Sequence, residues 1–265
     1  MASGWYFKPR RHEVSRVEGF SDAVFAFAVT LLVVSLDVPH TFKDLMAVMA
    51  EIPAFAICFT LLFMVWWRHH NFFRRYGLED PFSITMTGIL LFVVLIYVYP
   101  LKFVFRGLMH ALFTGGDWAI VGPNGTREDA MPAERAPQLM MVYSAAVVAV
   151  FGVFTVLYHH AYRKRDELGL DPHEVTETRM TILDNLSMAL FGVVSILIVA
   201  IGGVKWSSTA GFLYAGIGPV QCALGAYGGR LHRRIDAATG AGRSTARAGT
   251  APAPIADQQP GSIRE

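Results

Sequence analysis

The chain of 265 residues alternates between six long apolar stretches and short segments that carry most of its charge. Each apolar stretch is close to the roughly 20 residues that an α-helix needs to cross the hydrocarbon of a bilayer. Backbone groups there must be hydrogen-bonded within the chain, and the period-two alternation of a membrane barrel is absent, so helices are expected. The predicted spans are about Val17–Val38, Leu45–Trp67, Phe82–Val104, Leu139–Tyr158, Ile182–Val204 and Ser207–Tyr227.

Every second connection between these spans is rich in Lys and Arg, which is typical of cytoplasmic ends. With an even number of spans, both termini are expected in the cytoplasm of a multi-pass protein of the cell membrane. The basic residues assigned to that side are Lys8, Arg10, Arg11 and Arg16, then Arg68, Arg74 and Arg75, then Arg163, Lys164, Arg165 and Arg179, and finally Arg230, Arg233 and Arg234.

The sequence predicts an all-α integral membrane domain over residues 1–234, followed by a cytoplasmic tail over residues 235–265. The tail is composed mainly of Ala, Gly, Pro, Thr and Arg. Such a composition buries too little apolar surface to fold, so the tail is expected to be disordered.

Composition excludes several classes of protein. Hydrophobic residues make up 53% and charged residues 17% of the chain, which is too apolar for a soluble domain of this length. A net charge of +2 gives no reason to expect a nucleic-acid partner. The two cysteines, Cys58 and Cys222, lie within apolar runs and are expected to be buried, and no zinc-site spacing occurs. No metal or other cofactor is predicted.

The first predicted helix is unusual because charged groups stand at and just inside its cytoplasmic end. Asp22 lies six residues after Arg16, about 9 Å along a helix axis. A carboxylate at that depth is costly unless it is paired or faces water, so Asp22 is a candidate functional residue. The simpler interpretation is that Glu18 and Asp22 only stabilise the positive end of the helix dipole.

The remainder of this helix is apolar apart from Thr30 and Ser35. At 100° per residue one stripe holds Phe20, Phe27, Thr30, Leu31 and Val34. Asp22 lies off this stripe and about 120° from Arg16, so its partner is expected on another helix or another chain. By itself an apolar stripe most often indicates ordinary helix packing.

The residues Arg16, Phe20, Ser21 and Asp22, with the apolar run after them, match the RxxxFSD signature and first helix of the endolysosomal potassium channels (transmembrane protein 175) and their prokaryotic homologues. The stretch Trp66–Phe73 also resembles that family, and the six-helix count agrees over about residues 12–232. A single six-helix unit resembles the prokaryotic members, which assemble as homotetramers. In them four copies of the first helix line a central pore.

The resemblance implies a function and a set of site residues. The family's narrow point is an apolar ring one turn past the signature, usually Ile, with a Thr one turn further on. By position, Phe27, Leu31 and Val34 would form the constriction, and Thr30 would contribute to ion selectivity. Phe27 departs from the usual aliphatic residue. The implied protein is a potassium-permeable cation channel, selective or weakly selective, whose partners are potassium and other monovalent cations, lipid and its own copies.

The signature residues are expected to form a network with the second helix. The resemblance makes His69, His70 and Asn71 the candidates to meet Ser21 or Asp22. Adjacent histidines on a helix point about 100° apart, so neither His69-His70 nor His159-His160 can direct both rings at one metal ion.

Two other functions are alternatives to the channel. A secondary transporter would need broken helices and charges at mid-depth, and the sequence offers few such charges. A membrane-embedded hydrolase would need a nucleophile beside a base, and the sequence shows no such pair. No enzymatic step is therefore predicted.

Overall fold

The computed structural model describes residues 13–34, 39–114, 119–121, 127–129 and 132–248. The described chain is almost entirely helical. Its elements are α1 (Arg16–Val34), α2 (Phe42–Tyr76), α3 (Pro81–Thr114), β1 (Ala119–Val121), β2 (Arg127–Asp129), a 3-10 turn (Ala133–Arg135), α4 (Ala136–Arg163), α5 (Pro172–Gly202), α6 (Val204–Leu213), a second 3-10 turn (Tyr214–Gly216) and α7 (Ile217–Ala248). The strands β1 and β2 form a short antiparallel pair in the connection between α3 and α4.

Local chemistry explains where the long helices begin and end. Thr41 caps α2 in a reciprocal capping box with Asp44, and Asp171 does the same for α5 with Glu174. Gly77 ends α2 in the left-handed conformation at φ 60°, which favours glycine, and donates its backbone N–H to Phe73.

Within the described residues, five helices are long and apolar enough to cross a membrane: α1, α2, α3 as far as Gly107, α4 and α5. They agree with the first five predicted spans. The sixth predicted span falls on α6, the second 3-10 turn and the start of α7, so it is interrupted. Neutral hydroxyl groups form hydrogen bonds with one another at this interruption. The Tyr214 hydroxyl donates to Ser144 Oγ over 2.9 Å, and the Ser144 hydroxyl donates to Ser195 Oγ over 2.8 Å.

Two apolar clusters hold the helices together. One joins α1, α2 and α3 around Phe25, Leu32, Cys58 and Leu91. The other joins α2, α3 and α4 and contains Phe72, Phe73, Tyr76, Leu90, Phe154, Leu157 and Tyr158. The first cluster fixes which face of α1 turns towards its own chain.

α4 and α5 approach closely at Gly192. A Cβ atom at this position would lie 2.9 Å from the Ser144 carbonyl oxygen and 2.7 Å from a methyl group of Val148. Since real Cβ atoms do not come that close, the packing of these two helices requires glycine here.

Several details differ from the sequence-based expectations. α2 continues to Tyr76, so Arg68, Arg74 and Arg75 lie on the helix rather than in a connection. Cys58 is buried as expected, but Cys222 is exposed in the single chain. α7 continues past Arg234 to Ala248, into the segment predicted to be disordered. The rest of that tail, 249–265, and the end of the first predicted span, 35–38, lie outside the described residues.

Candidate functional site

The N-terminus of α1 is closed by a capping box between Ser15 and Glu18. The Ser15 backbone N–H donates to Glu18 Oε2 over 3.0 Å, and the Glu18 backbone N–H donates to Ser15 Oγ over 3.1 Å. Two of the backbone N–H groups at the helix start are thereby satisfied. The simpler interpretation of the charged residues at this end, stabilisation of the helix start, therefore accounts for Glu18.

Asp22 has a different role, because its partner lies on the second helix. The indole Nε1 of Trp66 donates a 2.7 Å hydrogen bond to Asp22 Oδ1. This bond joins α1 to α2 one turn inside the capping box. Asp22 thus has a partner outside its own helix and within the same chain. Trp66 belongs to the family-like stretch Trp66–Phe73 but was not among the predicted partners of Asp22.

The rings of His69 and His70 make aromatic contacts beside the signature residues, and within the described residues no hydrogen bond joins His69, His70 or Asn71 to Ser21 or Asp22. The His70 ring stacks on Trp66 with centroids 5.4 Å apart and planes inclined by 20°. The His69 ring is buried between Phe25 of α1, at 6.0 Å, and Phe73, at 4.9 Å.

The other residues predicted for this network take no part in these aromatic contacts within the described chain. Ser21 is buried and donates to the Val17 carbonyl oxygen of its own helix over 2.7 Å. Asn71 is half-buried on α2. Arg16 and Phe20 are exposed at the end of α1.

α1 has one face covered by its own chain and an opposite face left bare. Phe25, Ala28 and Leu32 are buried against α2 and α3. The bare face carries most of the predicted stripe: Phe20 is 65%, Phe27 55% and Val34 71% exposed, and Thr30 is also exposed. Leu31 lies at the edge of this face, half-buried and packed against the α1–α2–α3 cluster.

Thr30 is the polar residue on the bare face beyond Asp22. Its hydroxyl donates to the Ala26 carbonyl oxygen over 3.0 Å. Because this hydroxyl donates its hydrogen to the helix backbone, the lone pairs of its oxygen remain available to coordinate a cation.

Two charged clusters join α2 to α5 and to α3, and neither pairing was predicted from the sequence. Arg68 of α2 donates to Asp184 Oδ2 over 2.7 Å and to Asn185 Oδ1 over 2.9 Å, both on α5. Towards the opposite end of α2, Glu51 lies 2.9 Å from Arg106 and 3.8 Å from Lys102, both on α3. The sequence signal for these pairings was a charged residue inside an apolar span, because an unpaired charge there is energetically costly.

Comparisons with known proteins match this chain to one family, and the family model covers α1, α2 and the first half of α3. The model of the family described as endosomal/lysosomal potassium channel TMEM175 matches residues 16–98. A protein of Marivirga tractuosa, named a potassium channel, is 38% identical over 232 residues, which are 86% of this chain and 93% of that protein. A second protein named a potassium channel, from Chamaesiphon minutus, is 30% identical over 110 residues, 38% of this chain and 54% of that protein.

A solved structure extends the likeness to the fold. The crystal structure of a variant of the potassium channel MtTMEM175, in complex with a nanobody–MBP fusion protein, superposes with a TM-score of 0.73 at 36% identity, over 84% of this chain and 97% of that chain. The extent and identity of these matches, together with the signature on α1, establish that the chain is a membrane-spanning member of the TMEM175 family.

Proposed function

We propose that this chain is the pore-forming subunit of a potassium-permeable cation channel, in which α1 helices from four copies line the pore. The observation that carries the proposal is the bare face of α1, which presents Phe20, Phe27, Thr30 and Val34 away from the rest of the chain. Potassium is proposed as the permeant ion because the relatives are named potassium channels, and a channel is proposed because the family consists of channels.

The bare face has the composition that an apolar constriction needs. A ring of Phe27 side chains, with Val34 two turns beyond, would narrow the pore and resist wetting. A cation passing such a ring must exchange part of its hydration for apolar walls, which favours the ion that loses water more easily. Thr30 lies between them and would offer a side-chain oxygen near the narrowest point.

Assembly follows from the geometry of a single helix, because one α1 cannot enclose a pore. The bare apolar surface of α1 would be covered by the α1 helices of neighbouring copies. A tetramer is favoured because the family resemblance that identified the signature implies four chains.

The distribution of basic residues supports a cytoplasmic location for the N-terminus and for the basic segment of α7 that begins at Arg230. Basic residues occur near Arg16 at the start of α1 and at three further helix positions predicted for the same side of the membrane. These are Arg74 at the end of α2, Arg163 at the end of α4 and Arg230 on α7. Basic residues gather on the cytoplasmic side of membrane proteins. This orientation places the signature end of α1 at the cytoplasmic mouth of the pore.

The decisive experiment is current recording from the purified protein in planar bilayers with potassium on one side and sodium on the other. Discrete unitary currents whose reversal potential lies towards the potassium equilibrium potential are expected. Slow saturable flux without unitary steps would instead indicate a carrier that uses the interrupted sixth span. Cross-linking or mass measurement in detergent should give a tetramer, and a monomer that conducts would contradict the assembly.

A further inference from the structure

A groove opens between α1 and α2, and Asp22 lies at one of its ends. Its volume is about 370 Å³, and both helices contribute side chains to its lining. Two of the α1 residues in the lining, Asp22 and Val29, lie about 140° and 160° around the helix from Phe27. The groove is therefore on the side of α1 that faces away from the proposed pore.

The groove has an apolar floor and an aromatic wall. Phe25 and Leu62 form the floor, since they belong to the lining and are 4% and 7% exposed. The wall is a row of rings on α2: Phe59 and Phe63 have centroids 6.3 Å apart with planes inclined by 19°, and Trp66 follows at 5.3 Å from Phe63. Aromatic faces accept apolar groups and also attract cations.

Asp22 is the charged residue among those that line the groove. Its Oδ1 accepts the Trp66 indole N–H, whereas no hydrogen bond or salt bridge to its Oδ2 occurs among the described residues. Arg16, on the preceding turns of α1, is exposed and does not pair with it. An uncompensated carboxylate beside apolar walls favours a cation over a neutral or an anionic ligand.

The groove has a charged end and an apolar end. On α1 its lining extends from Asp22 to Val29, and on α2 it extends from Trp66 back to Phe59. Each of these distances is seven residues, or about 10 Å along a helix axis. A ligand that matches this shape has a cationic head at the end near Asp22 and a slender apolar tail about 10 Å long.

We propose that the groove between α1 and α2 binds an amphipathic ammonium ion that carries one alkyl chain. The head pairs with Asp22 Oδ2 and lies against the Trp66 ring, and the tail lies along Phe63 and Phe59. A single chain fits because 370 Å³ is near the lower limit for small-molecule pockets. A phospholipid would need room for two chains and would bring its phosphate close to the Asp22 carboxylate. Because the ligand contacts both helices, its binding fastens α1 to α2.

The experiment uses the full-length protein in phosphatidylcholine nanodiscs. The probe is octyltrimethylammonium with a photoreactive diazirine in its alkyl chain, and the cross-linked residues are identified by mass spectrometry. Cross-links are expected within residues 22–29 and 59–66. Unlabelled octyltrimethylammonium should compete several-fold better than octanol or octyl sulfate, which have the same chain and a neutral or an anionic head.

Three variants separate recognition of the charge from recognition of the chain. Asp22→Asn keeps an oxygen for the Trp66 indole and removes the charge, so labelling by the ammonium probe should fall several-fold. Val29→Trp fills the apolar end of the groove and should also reduce labelling. Asp166→Asn is the control, because this carboxylate lies between α4 and α5 and is 87% exposed, so its labelling should equal that of the wild-type protein.

Several results would overturn the proposal. Labelling spread evenly over the exposed helix faces, or labelling unchanged in Asp22→Asn, would show that the groove does not select an ammonium ion. Labelling that appears only in dissociated monomers would show that a neighbouring copy covers the groove. Labelling abolished by added phosphatidylethanolamine would assign the groove to lipid. If Asp22→Asn does not fold, equal competition by the three unlabelled amphiphiles in the wild-type protein would reject the site. The measurement requires no ion conduction, so its failure would leave the proposed channel function unaffected.

Discussion

Trp66 Nε1 donates a 2.7 Å hydrogen bond to Asp22 Oδ1, and this bond ties the proposed pore helix α1 to α2. The same indole stacks on the ring of His70, so the Trp66 side chain contacts both the Asp22 carboxylate on α1 and the His70 ring on α2. The position of α1 therefore depends on a donor that lies 44 residues away in the chain.

Replacing Trp66 by Phe keeps an aromatic ring and removes the N–H that Asp22 accepts. The loss should lower the free energy of unfolding by about 1.5 kcal/mol, the lower end for a hydrogen bond to a charged group, because Asp22 is exposed in the single chain. Melting temperature and tetramer yield in detergent measure the effect. Trp67→Phe is the control, since Trp67 is the adjacent exposed indole. Equal behaviour of the two variants would show that the hydrogen bond to Asp22 does not stabilise the protein.

Arg68 and Asp184 allow a second test, in which the two single replacements should differ. Arg68→Met leaves the Asp184 carboxylate without its cation and should cost about 2–3 kcal/mol, between the values for exposed and fully buried pairs. Asp184→Asn should cost less, because Arg68 keeps Asn185 as an acceptor.

The measurement is the melting temperature of both variants and of Arg74→Met, an exposed arginine on the same helix. If Arg68→Met were no worse than Arg74→Met, Arg68 would have no stabilising role between α2 and α5.

These two contacts also show what the sequence could predict. The helical period separates Phe27 and Thr30 from Phe25 on α1, and the structure places them on opposite faces as that period requires. The pairs Trp66–Asp22 and Arg68–Asp184 span 44 and 116 residues, so they depend on how helices pack, which no local period encodes. Leu31 illustrates the same limit: it lies at the stripe's edge, and packing against α2 and α3 partly buries it.

Asp80, in the connection between α2 and α3, should make stability depend on acid pH. Burial raises the pKa of this carboxyl, but the Ser83 hydroxyl at 2.8 Å and the nearby His160 and Lys164 outweigh it, so the pKa is lowered overall. A group whose pKa is lowered by folding stabilises the protein above its ordinary pKa. That stabilisation is lost as the pH falls through the lowered value, below about pH 4.

Asp80→Asn should therefore lower the melting temperature at pH 7 by about 2 °C or less and weaken the further loss in acid. Melting curves between about pH 3 and 7 test this in the range where a carboxyl titrates. Asp166→Asn serves as the control because the Asp166 side chain is 87% exposed. A wild-type acid profile in Asp80→Asn would rule out this contribution.

Thr30 should influence ion preference through its oxygen. Thr30→Val keeps the shape and removes the oxygen, so potassium-over-sodium preference should fall several-fold with a smaller change in unitary conductance. Thr30→Ser should retain most of the preference. Thr60→Val is the matched control, because Thr60 on α2 makes the same bond to its own helix, with Oγ1 2.7 Å from the Ala56 carbonyl oxygen. Reversal potentials under bi-ionic conditions give the comparison, and an unchanged preference in Thr30→Val would exclude Thr30 from the permeation path.

Phe27 and Phe25 are two residues apart on α1 but face opposite surroundings, which makes them the sharpest test of the pore assignment. Phe25 is 4% exposed in the α1–α2–α3 cluster, and Phe25→Ala should leave a cavity costing about 3–5 kcal/mol. Phe27 is 55% exposed, so Phe27→Ala should leave the packing inside the chain intact.

If four Phe27 rings form the constriction, Phe27→Ala should widen and wet it. Unitary conductance should then rise several-fold and potassium-over-sodium discrimination should weaken, with a melting temperature near that of the wild-type protein. Phe25→Ala should show the reverse pattern, with a much lower melting temperature and unchanged selectivity in the channels that survive. Both variants are measured by bilayer recording beside a melting curve. Phe27→Ala channels with wild-type conductance and selectivity would remove Phe27 from the pore, because a ring at the narrowest point cannot be deleted without changing the passage of ions.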